Sequence, residues 1–425
     1  MNLFEQVSSK SKASISLMFG SSSSGSSSGI LSILQSKCSH LGESFSQVSA
    51  NQWKASPSGR VLFAKLTTPV EQVLGEAESL DAMSQALKKA HEAERASTDA
   101  SEWSIVPAVH AYGKSEDEKR AYLVTDYKDL GGRLGKEAQR TLGRKLALMH
   151  KYGSSKNGKF GFDMPTYCGV TKQDNAWEDK WSTFFIERRI GDMVKRIGDP
   201  SLSKLEQQLR SKVWPLLYSP EVDQKINPAI LHGDLWSGNA GTDSTMGQPV
   251  IFDPSSYYGH NEMELGMMRA FGGFTKDCFD AYHEVIPKLE PYYEQRLVSV
   301  SMFTGWRIRR THQLNFAFQD ASHLYHMLNH TLMASLHCGS TERPQLTCLR
   351  SFTVWWRLCW QRPELDAIVD FLCREGGPSK DKSVMRRTDF YCTAERSSMQ
   401  VSYNGKHAQL LTPFACKNHL LATLQ

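Results

Sequence analysis

The feature that most constrains this chain of 425 residues is a polar loop enclosed by two short apolar stretches. Ile230 and Leu231 lead into His-Gly-Asp-Leu-Trp-Ser-Gly-Asn, which ends at Asn239, and the next apolar stretch ends at Asp253. Asp and Asn often do no more than shape a turn. The complete pattern of strand, His-Gly-Asp loop and second strand ending in Asp is much rarer, and it indicates a site that carries chemistry.

This spacing meets the needs of phosphoryl transfer. The reaction requires a carboxylate that orients and deprotonates the attacking hydroxyl group, and metal ligands that let magnesium neutralise phosphate charge. Kinase loops place an Asn five positions after the catalytic Asp, which is the offset from Asp234 to Asn239. We therefore predict Asp234 as the catalytic base. Asn239 and Asp253 are predicted to hold Mg²⁺, which prefers oxygen ligands.

Longer blocks of sequence resemble one family, the fructosamine/ketosamine-3-kinases, from about Val61 to about Tyr293. The tryptophan of the His-Gly-Asp-Leu-Trp block makes this resemblance more specific than the bare kinase spacing. The blocks that carry it are HGDLWSGN at 232–239, IFDPSSYYGHNEMELGM at 251–267, FGGF at 271–274, Phe160–Phe162, Gln173–Trp177 and Trp181–Arg189.

The resemblance implies an α+β, two-lobed, protein-kinase-like fold. A small β-rich nucleotide lobe is expected at 43–130, and a larger, mostly helical lobe at 131–336. The residue patterns agree, because alternating apolar residues at 60–65 and the apolar run at 121–125 predict strands. A helical apolar spacing runs from about Val70 to Glu92 between these strands, and another begins near Lys136.

Carried over residue by residue, the family pattern implies a nucleotide site. Lys65 matches the strand lysine that contacts the ATP phosphates, and Glu76 matches its helix partner. Asp126, Tyr127 and Lys128 fall where the hinge between the lobes presents main-chain groups to adenine. The alternative for Lys65 and Glu76 is that both are solvated surface charges.

The resemblance also implies an activity. ATP would donate its terminal phosphate to the 3-hydroxyl group of fructosamine or ribulosamine adducts on lysine, with Mg²⁺ as cofactor, in a deglycation repair role. The expected partners are glycated proteins or small ketosamines. Trp236 is predicted to present an apolar face to the sugar, the alternative being a core tryptophan.

Two departures from the family pattern keep other functions open. The family's run of glycines before the strand lysine is replaced by Leu41–Trp53, with Gly42 as its one glycine, which predicts weaker or altered nucleotide clamping. An insert near 298–323 and an atypical extension at 337–425 are either lineage-specific or translated from intron or shifted-frame sequence. The rival functions are a kinase for another small alcohol, such as an aminoglycoside or choline, and a pseudokinase that serves as a binding module.

Composition limits the compartment and the partners. Residues 1–42 are rich in serine with few acids, which predicts a disordered tail or, alternatively, a targeting segment. Nine scattered cysteines favour reduced thiols, so a cytoplasmic location is predicted, with a plastid or mitochondrion as the alternative. The net charge of +5 and the lack of a long apolar run argue against nucleic-acid and membrane partners. The oligomeric state stays open.

Overall fold

The computed structural model describes residues 24–97, 99–300 and 303, together with three strands in residues 391–411. The chain divides into two compact units, Met1–Pro344 and Gln345–Gln425. Residues 1–23, which are the first part of the possible targeting segment predicted at 1–42, lie outside the described residues. So do nearly all of the insert predicted near 298–323 and most of the extension at 337–425.

The N-terminal part of the first unit contains a five-stranded antiparallel sheet. Its strand order is β1-β2-β3-β5-β4, so β5 lies inside the sheet and β4, which precedes β5 in the chain, forms the edge. The strands are β1 (Ser44–Ser49), β2 (Gln52–Ser56), β3 (Val61–Thr67), β4 (Val109–Lys114) and β5 (Ala121–Asp126).

The side chains of strand β3 alternate between the two faces of this sheet. Its residues alternate, so that Leu62, Ala64 and Leu66 are buried on one face. Because successive side chains of a strand point to opposite faces, Lys65 projects from the other face. That face is covered by helix α2 (Val70–Ala93), which the helical spacing of the sequence predicted closely.

The expectation of a disordered tail over 1–42 is wrong for its described part. Helix α1 spans Ser24–Lys37 and buries Ile30 and Leu34 against the sheet, and Cys38 is buried there directly after the end of the helix. Ile30 and Leu34 are four positions apart, so they lie on one face of the helix. The serines between them made the segment look unable to fold, but packing against the sheet gives a short helix the stability that composition alone does not.

Helix α2 also makes a close backbone contact with the larger lobe. A side chain at Gly75 would come within 2.8 Å of the carbonyl oxygen of Pro165, so a glycine here lets the two backbones approach. The backbone at Pro165 and Thr166 therefore lies directly against helix α2 at Gly75.

The larger lobe consists mainly of helices around one core, and small two-stranded sheets carry its loops. After the short α3 (Ala100–Trp103), its helices are α4 (Lys136–Tyr152), α5 (Trp181–Thr183), a π-helix (Phe184–Gly191), α6 (Asp192–Ile197), α7 (Pro200–Lys212), α8 (Trp214–Leu217), α9 (Pro220–Asp223), α10 (Asn261–Phe271) and α11 (Lys276–His283). Its strands are β6 (Tyr167–Cys168), β7 (Thr171–Lys172), β8 (Ala229–Leu231), β9 (Ala240–Thr242), β10 (Pro249–Ile251) and β11 (Tyr257–Gly259).

Two buried arginines reinforce this lobe. The fully buried guanidinium of Arg296 donates two hydrogen bonds to the carboxylate of Glu262, at 2.6 and 3.0 Å, which is the planar geometry that suits arginine. Arg189 is also buried and lies over the rings of Phe184 and Tyr257. Arg189 thereby joins the π-helix to strand β11, and Arg296 is joined to helix α10 through Glu262.

The second unit contains an antiparallel sheet of three strands in the order β12-β13-β14. The strands span Tyr391–Glu395, Ser398–Tyr403 and Lys406–Leu411. Within the part of the chain that the structure describes, no helix is both long enough and apolar enough to cross a membrane.

Candidate active site

The loop between β8 and β9 brings two predicted residues into contact. The Nδ2 atom of Asn239 donates a hydrogen bond to the backbone oxygen of Asp234 at 2.9 Å and lies 3.5 Å from its Oδ2 atom. Asn239 is buried at the end of a single 3₁₀ turn. The spacing of five residues thus brings the side-chain amide of Asn239 next to Asp234, as the sequence pattern predicts.

Glu264 of helix α10 holds the start of this loop. Its carboxylate is 1% exposed and accepts hydrogen bonds from the backbone nitrogens of His232, at 2.5 Å, and Gly233, at 3.2 Å. Gly233 has a φ of +80°, and a side chain there would collide with the backbone of Ser255. The loop is therefore fixed from two directions just before Asp234.

His232 connects this loop to the strand that precedes Asp253. Its Nε2 atom lies 2.9 Å from the carbonyl oxygen of Phe252, and its Nδ1 atom accepts from the backbone nitrogen of Asp234 at 3.3 Å. Burial lowers the pKa of His232 below its usual value. The imidazole is therefore neutral and acts as a structural link between the two predicted metal-binding segments.

Asp253 lies in a strained and electrically crowded position. Its φ is +59°, in the left-handed region that Asp and Asn tolerate better than most residues. Burial, the nearby carboxylate of Glu76 and that of Asp234 raise the pKa of Asp253 to about 7, against the opposing charge of Lys65. The charges of Glu76, Asp234 and Lys65 therefore all influence the ionisation of Asp253.

Lys65 and Glu76 form an ion pair beside this region. The Nζ atom of Lys65 is 2.5 Å from Oε2 of Glu76, and both side chains are mostly buried, with 19% and 15% exposed. A strand of the sheet thereby joins the first turns of helix α2. The pair is not made of solvated surface charges.

The three predicted hinge residues line a separate cleft of about 490 Å³. Asp126 accepts from His110 at 2.8 Å and pairs with Arg60, while Lys128 lies 3.6 Å from Asp243. Burial opposes ionisation of Asp126, but His110 and the nearby cations outweigh it and keep the pKa low. The backbone nitrogen of Tyr127 donates to Val61 within the protein.

Trp236 lies on the catalytic loop between Asp234 and Asn239 and is half-buried. Its ring packs over Gly238, where a side chain would collide with it, and its centroid is 6.0 Å from that of Phe271. One part of the indole therefore packs on the protein and another part is exposed. Trp236 is neither a core tryptophan nor a freely exposed one.

The segment expected to clamp phosphate forms a hairpin without glycine at its turn. Strands β1 and β2 meet at Ala50 and Asn51, with an irregular register between Gln47 and Ser49. The buried Asn51 accepts from the backbone nitrogen of Ala64 and ties the turn to β3. Gly42 precedes the hairpin, so the hairpin itself must supply any main-chain clamp.

One contact was missed by sequence reasoning altogether. The thiol of Cys168 in β6 donates a hydrogen bond to Oδ1 of Asp234 at 2.9 Å. The two residues are 66 positions apart, and no spacing rule joins them.

The residues present fit a magnesium ion better than a structural metal. No group of three His, Cys, Asp or Glu side chains that could hold a metal occurs within the described residues. Magnesium beside phosphates needs only one or two carboxylates from the protein, since phosphate and water complete its shell. The excess negative charge around Asp253 would be relieved by such a cation.

Comparison with known proteins decides the family. A family model described as Fructosamine kinase matches residues 80–342, more than half of the chain. The chain belongs to this family. It is 38% identical over 180 residues to a chloroplastic protein-ribulosamine 3-kinase of Arabidopsis thaliana, covering 41% of this chain and 52% of that protein. It is 42% identical over 187 residues to a ketosamine-3-kinase of Mus musculus, covering 43% and 57%.

The matching part of this fructosamine kinase family member thus spans about half the length of those curated relatives. Solved structures support the fold. A candidate fructosamine-3-kinase from Haemophilus somnus has a TM-score of 0.53 at 18% identity, covering 72% of this chain and 98% of that one. One from Thermobifida fusca has a TM-score of 0.51 at 23% identity, covering 68% and 93%. The predicted α+β, kinase-like fold is confirmed.

Proposed function

We propose that this protein is an ATP-dependent kinase that phosphorylates a sugar hydroxyl group of ketosamines. The preferred position is the 3-hydroxyl of fructosamine or ribulosamine adducts on protein lysines, which makes the protein a deglycation repair enzyme. The observation that carries this proposal is the placement of Asp234 against Asn239 within the field of Asp253 and the Lys65–Glu76 pair. The family and the names of the relatives support the choice of acceptor.

Asp234 is the base in this proposal. A general base must lie within hydrogen-bond reach of the proton that it takes, and its carboxylate must keep one orientation. The backbone of the Asp234 loop is held by Glu264 and His232, and one carboxylate oxygen lies near the Asn239 amide. The carboxylate is therefore prepared to accept the proton of an incoming hydroxyl group.

Asn239 and Asp253 would hold Mg²⁺. Since Nδ2 of Asn239 donates to the backbone of Asp234, its Oδ1 is the atom that can ligate a metal. When bound, the ion would neutralise charge on the phosphates of ATP. Its charge would also favour the ionised form of Asp253, whose pKa is raised without it.

Lys65 would contact the ATP phosphates, and Glu76 would hold its ammonium group in place. The ion pair supports this role, because kinases require the strand lysine and the helix glutamate to be joined. The cleft lined by Asp126, Tyr127 and Lys128 would receive adenine. The side chains of Asp126 and Lys128 are engaged with protein partners, so main-chain groups other than the Tyr127 nitrogen, which donates to Val61, would make the contacts.

Trp236 would border the acceptor. It lies two residues beyond the proposed base, on the same loop, and keeps part of its indole exposed. Sugars commonly use such an apolar face for carbon atoms while their hydroxyl groups bind polar partners. The packing on Phe271 fixes the plane of the ring.

Glycated proteins or small ketosamines are the proposed substrates, and the cytoplasm is the proposed compartment. A plastid is the alternative, because the Arabidopsis relative is named chloroplastic. A mitochondrial location is a further alternative that came from the serine-rich start of the sequence.

An acceptor panel tests this function. Purified protein is incubated with ATP and Mg²⁺ and with fructosyl-lysine, ribulosyl-lysine, an aminoglycoside or choline, and ADP release is measured for each acceptor. We expect release above the acceptor-free rate only with the two ketosamines. Activity on an aminoglycoside or choline alone would instead support the small-alcohol rival, and no activity with any acceptor would support the pseudokinase.

A further inference from the structure

The hairpin formed by β6 and β7 brings the thiol of Cys168 into hydrogen-bond contact with Asp234, the proposed base. Cys168 is 7% exposed, and its Sγ atom lies 2.9 Å from Oδ1 of Asp234. The other oxygen of the carboxylate, Oδ2, lies 3.5 Å from the amide of Asn239. The terminal torsion of an Asp side chain is broad when nothing constrains it. A donor at each oxygen therefore restricts the rotation of this carboxylate.

Buried polar contacts fix the base of the hairpin. Gln173 donates to the hydroxyl group of Ser255 and, at 3.2 Å, to its backbone oxygen. Thr166 donates to the backbone oxygen of Ser256 at 3.1 Å, and Asn175 donates to Thr166 at 2.9 Å. These contacts join both ends of the hairpin to the segment that directly follows Asp253.

A second set of contacts joins the hairpin to helix α2. The ammonium group of Lys172 lies 2.7 and 2.8 Å from the two carboxylate oxygens of Glu71, and the hydroxyl group of Tyr167 also donates to this carboxylate. Gln72 donates to the backbone oxygen of Gly169 at 3.3 Å. The helix that carries Glu76 thus contacts the residues on both sides of Cys168, Tyr167 in the strand and Gly169 in the turn.

We propose that Cys168 is a positioning residue, whose thiol holds the Asp234 carboxylate in the orientation that accepts the substrate proton. This inference rests on the proposed kinase function for the identity of the base. A side chain can position a reacting group accurately when its own backbone is fixed by packing and hydrogen bonds, which is more often true in a strand than in a loop. The hairpin meets that condition, because it is tied to the Asp253 segment on one side and to helix α2 on the other.

Three variants test the inference. Cys168→Ala removes the donor, Cys168→Ser keeps a donor of similar size, and Cys278→Ala removes another buried thiol, in helix α11, away from Asp234. Steady-state kinetics are measured with ATP and ribulosyl-lysine both varied, beside a melting curve for each protein. A hydrogen bond to a charged group, made here by a weak donor, leads us to expect about a three- to tenfold fall in kcat for Cys168→Ala. The KM for ATP should stay within about twofold of wild type, since a contact made to the base is not a nucleotide contact.

Cys168→Ser should recover most of the lost kcat, and Cys278→Ala should match wild type. Equal kcat in Cys168→Ala and wild type would overturn the inference. So would an equal loss in the Ala and Ser variants, or a loss that merely follows a fall in the folded fraction.

If wild type phosphorylates no ketosamine, the proposed function fails, and the same proteins are compared by their slow transfer of phosphate from ATP to water. The order wild type, Ser variant, Ala variant would then still support the positioning role. Equal rates of hydrolysis would overturn it.

Discussion

The carboxylate of Glu264 lies 2.5 Å from the backbone nitrogen of His232, two residues before Asp234. It also accepts from Gly233 and is 3.8 Å from the imidazole of His150. The position of the proposed base is therefore set by a side chain of helix α10 that does not itself face the substrate.

Replacing Glu264 by Gln tests this support. An amide has one oxygen instead of two, and its NH₂ group would face a backbone donor. Because a hydrogen bond to a charged group contributes about 1.5–3 kcal/mol, we expect a loss of this size in the free energy of unfolding. Turnover should fall as well. Glu284→Gln is the control, since its ion pair with Arg140 is exposed; equal melting temperatures in the two variants would contradict the support role.

Asp253→Asn should stabilise the protein in the absence of magnesium. The folded pKa of about 7 lies above the usual value, so this group favours unfolding increasingly as the pH rises from about 4 to 7. Asn removes that cost and still tolerates the positive φ. A shift of this size gives an upper limit of about 4 kcal/mol above pH 7 and little change near pH 4.

Melting curves at pH 5 and pH 8 without metal check the stability of Asp253→Asn. When each protein is titrated with ATP in the presence of Mg²⁺ and binding is measured by calorimetry, the variant should bind more weakly, since a neutral amide is a poorer metal ligand than a carboxylate. Unchanged magnesium dependence would remove Asp253 from the metal site.

Trp236→Ala should raise the KM for fructosyl- or ribulosyl-lysine about two- to tenfold and leave the KM for ATP nearly unchanged. An aromatic contact contributes about 0.5–1.5 kcal/mol beyond its buried area, which gives that range at 1.4 kcal/mol per factor of ten. Trp177→Ala is the control, because Trp177 is also half-buried and stacks on Tyr258. A change in both Michaelis constants with a lower melting temperature would show a structural role for Trp236 instead.

Lys145 of helix α4 should limit stability at neutral pH. It is 9% exposed, lies 3.4 Å from an amide oxygen of Gln248, and has its ammonium group over the ring of Trp103. Burial lowers the pKa of Lys145 to about 8. The unfolded chain therefore binds more protons between about pH 8 and the usual lysine pKa, and stability should rise across that interval.

Lys145→Met should remove this dependence. We expect it to raise the free energy of unfolding by about 1–3 kcal/mol at pH 7, because one pKa unit corresponds to 1.36 kcal/mol. The gain should shrink towards pH 10. Denaturant unfolding at pH 7 and 10 measures it, with the exposed Lys88→Met as control. A gain that is equal at both pH values would contradict the burial argument.

The parts of the site that sequence could predict are those set by local spacing. Asp234 and Asn239 lie on one loop, so the offset of five residues already determines that they meet. Lys65 and Glu76 belong to a strand and the helix after it, and their pairing follows from the order of these elements. The chemistry of phosphoryl transfer restricts these positions to few residue types, which makes the pattern visible.

Contacts between distant parts of the chain were beyond such reasoning. Cys168 meets Asp234 only because a hairpin returns to the catalytic loop, and a lone cysteine has no spacing that would reveal it. Helix α1 was missed because its buried residues Ile30 and Leu34 are diluted by serines, and its stability comes from packing on the sheet. Tertiary packing overrides local composition in both cases.

The central claim is tested most directly by locating the phosphate on the product. Wild type and Asp234→Asn are incubated with ATP, Mg²⁺ and ribulosyl-lysine, and the product is analysed by phosphorus and proton nuclear magnetic resonance, with ATP binding to both proteins measured separately. We expect wild type to give the 3-phosphate. Asp234→Asn should bind ATP as wild type does but turn over about 10²–10⁴-fold more slowly, the usual contribution of a general base. A wild type that phosphorylates no ketosamine, or an Asp234→Asn variant with near wild-type turnover, would contradict the account.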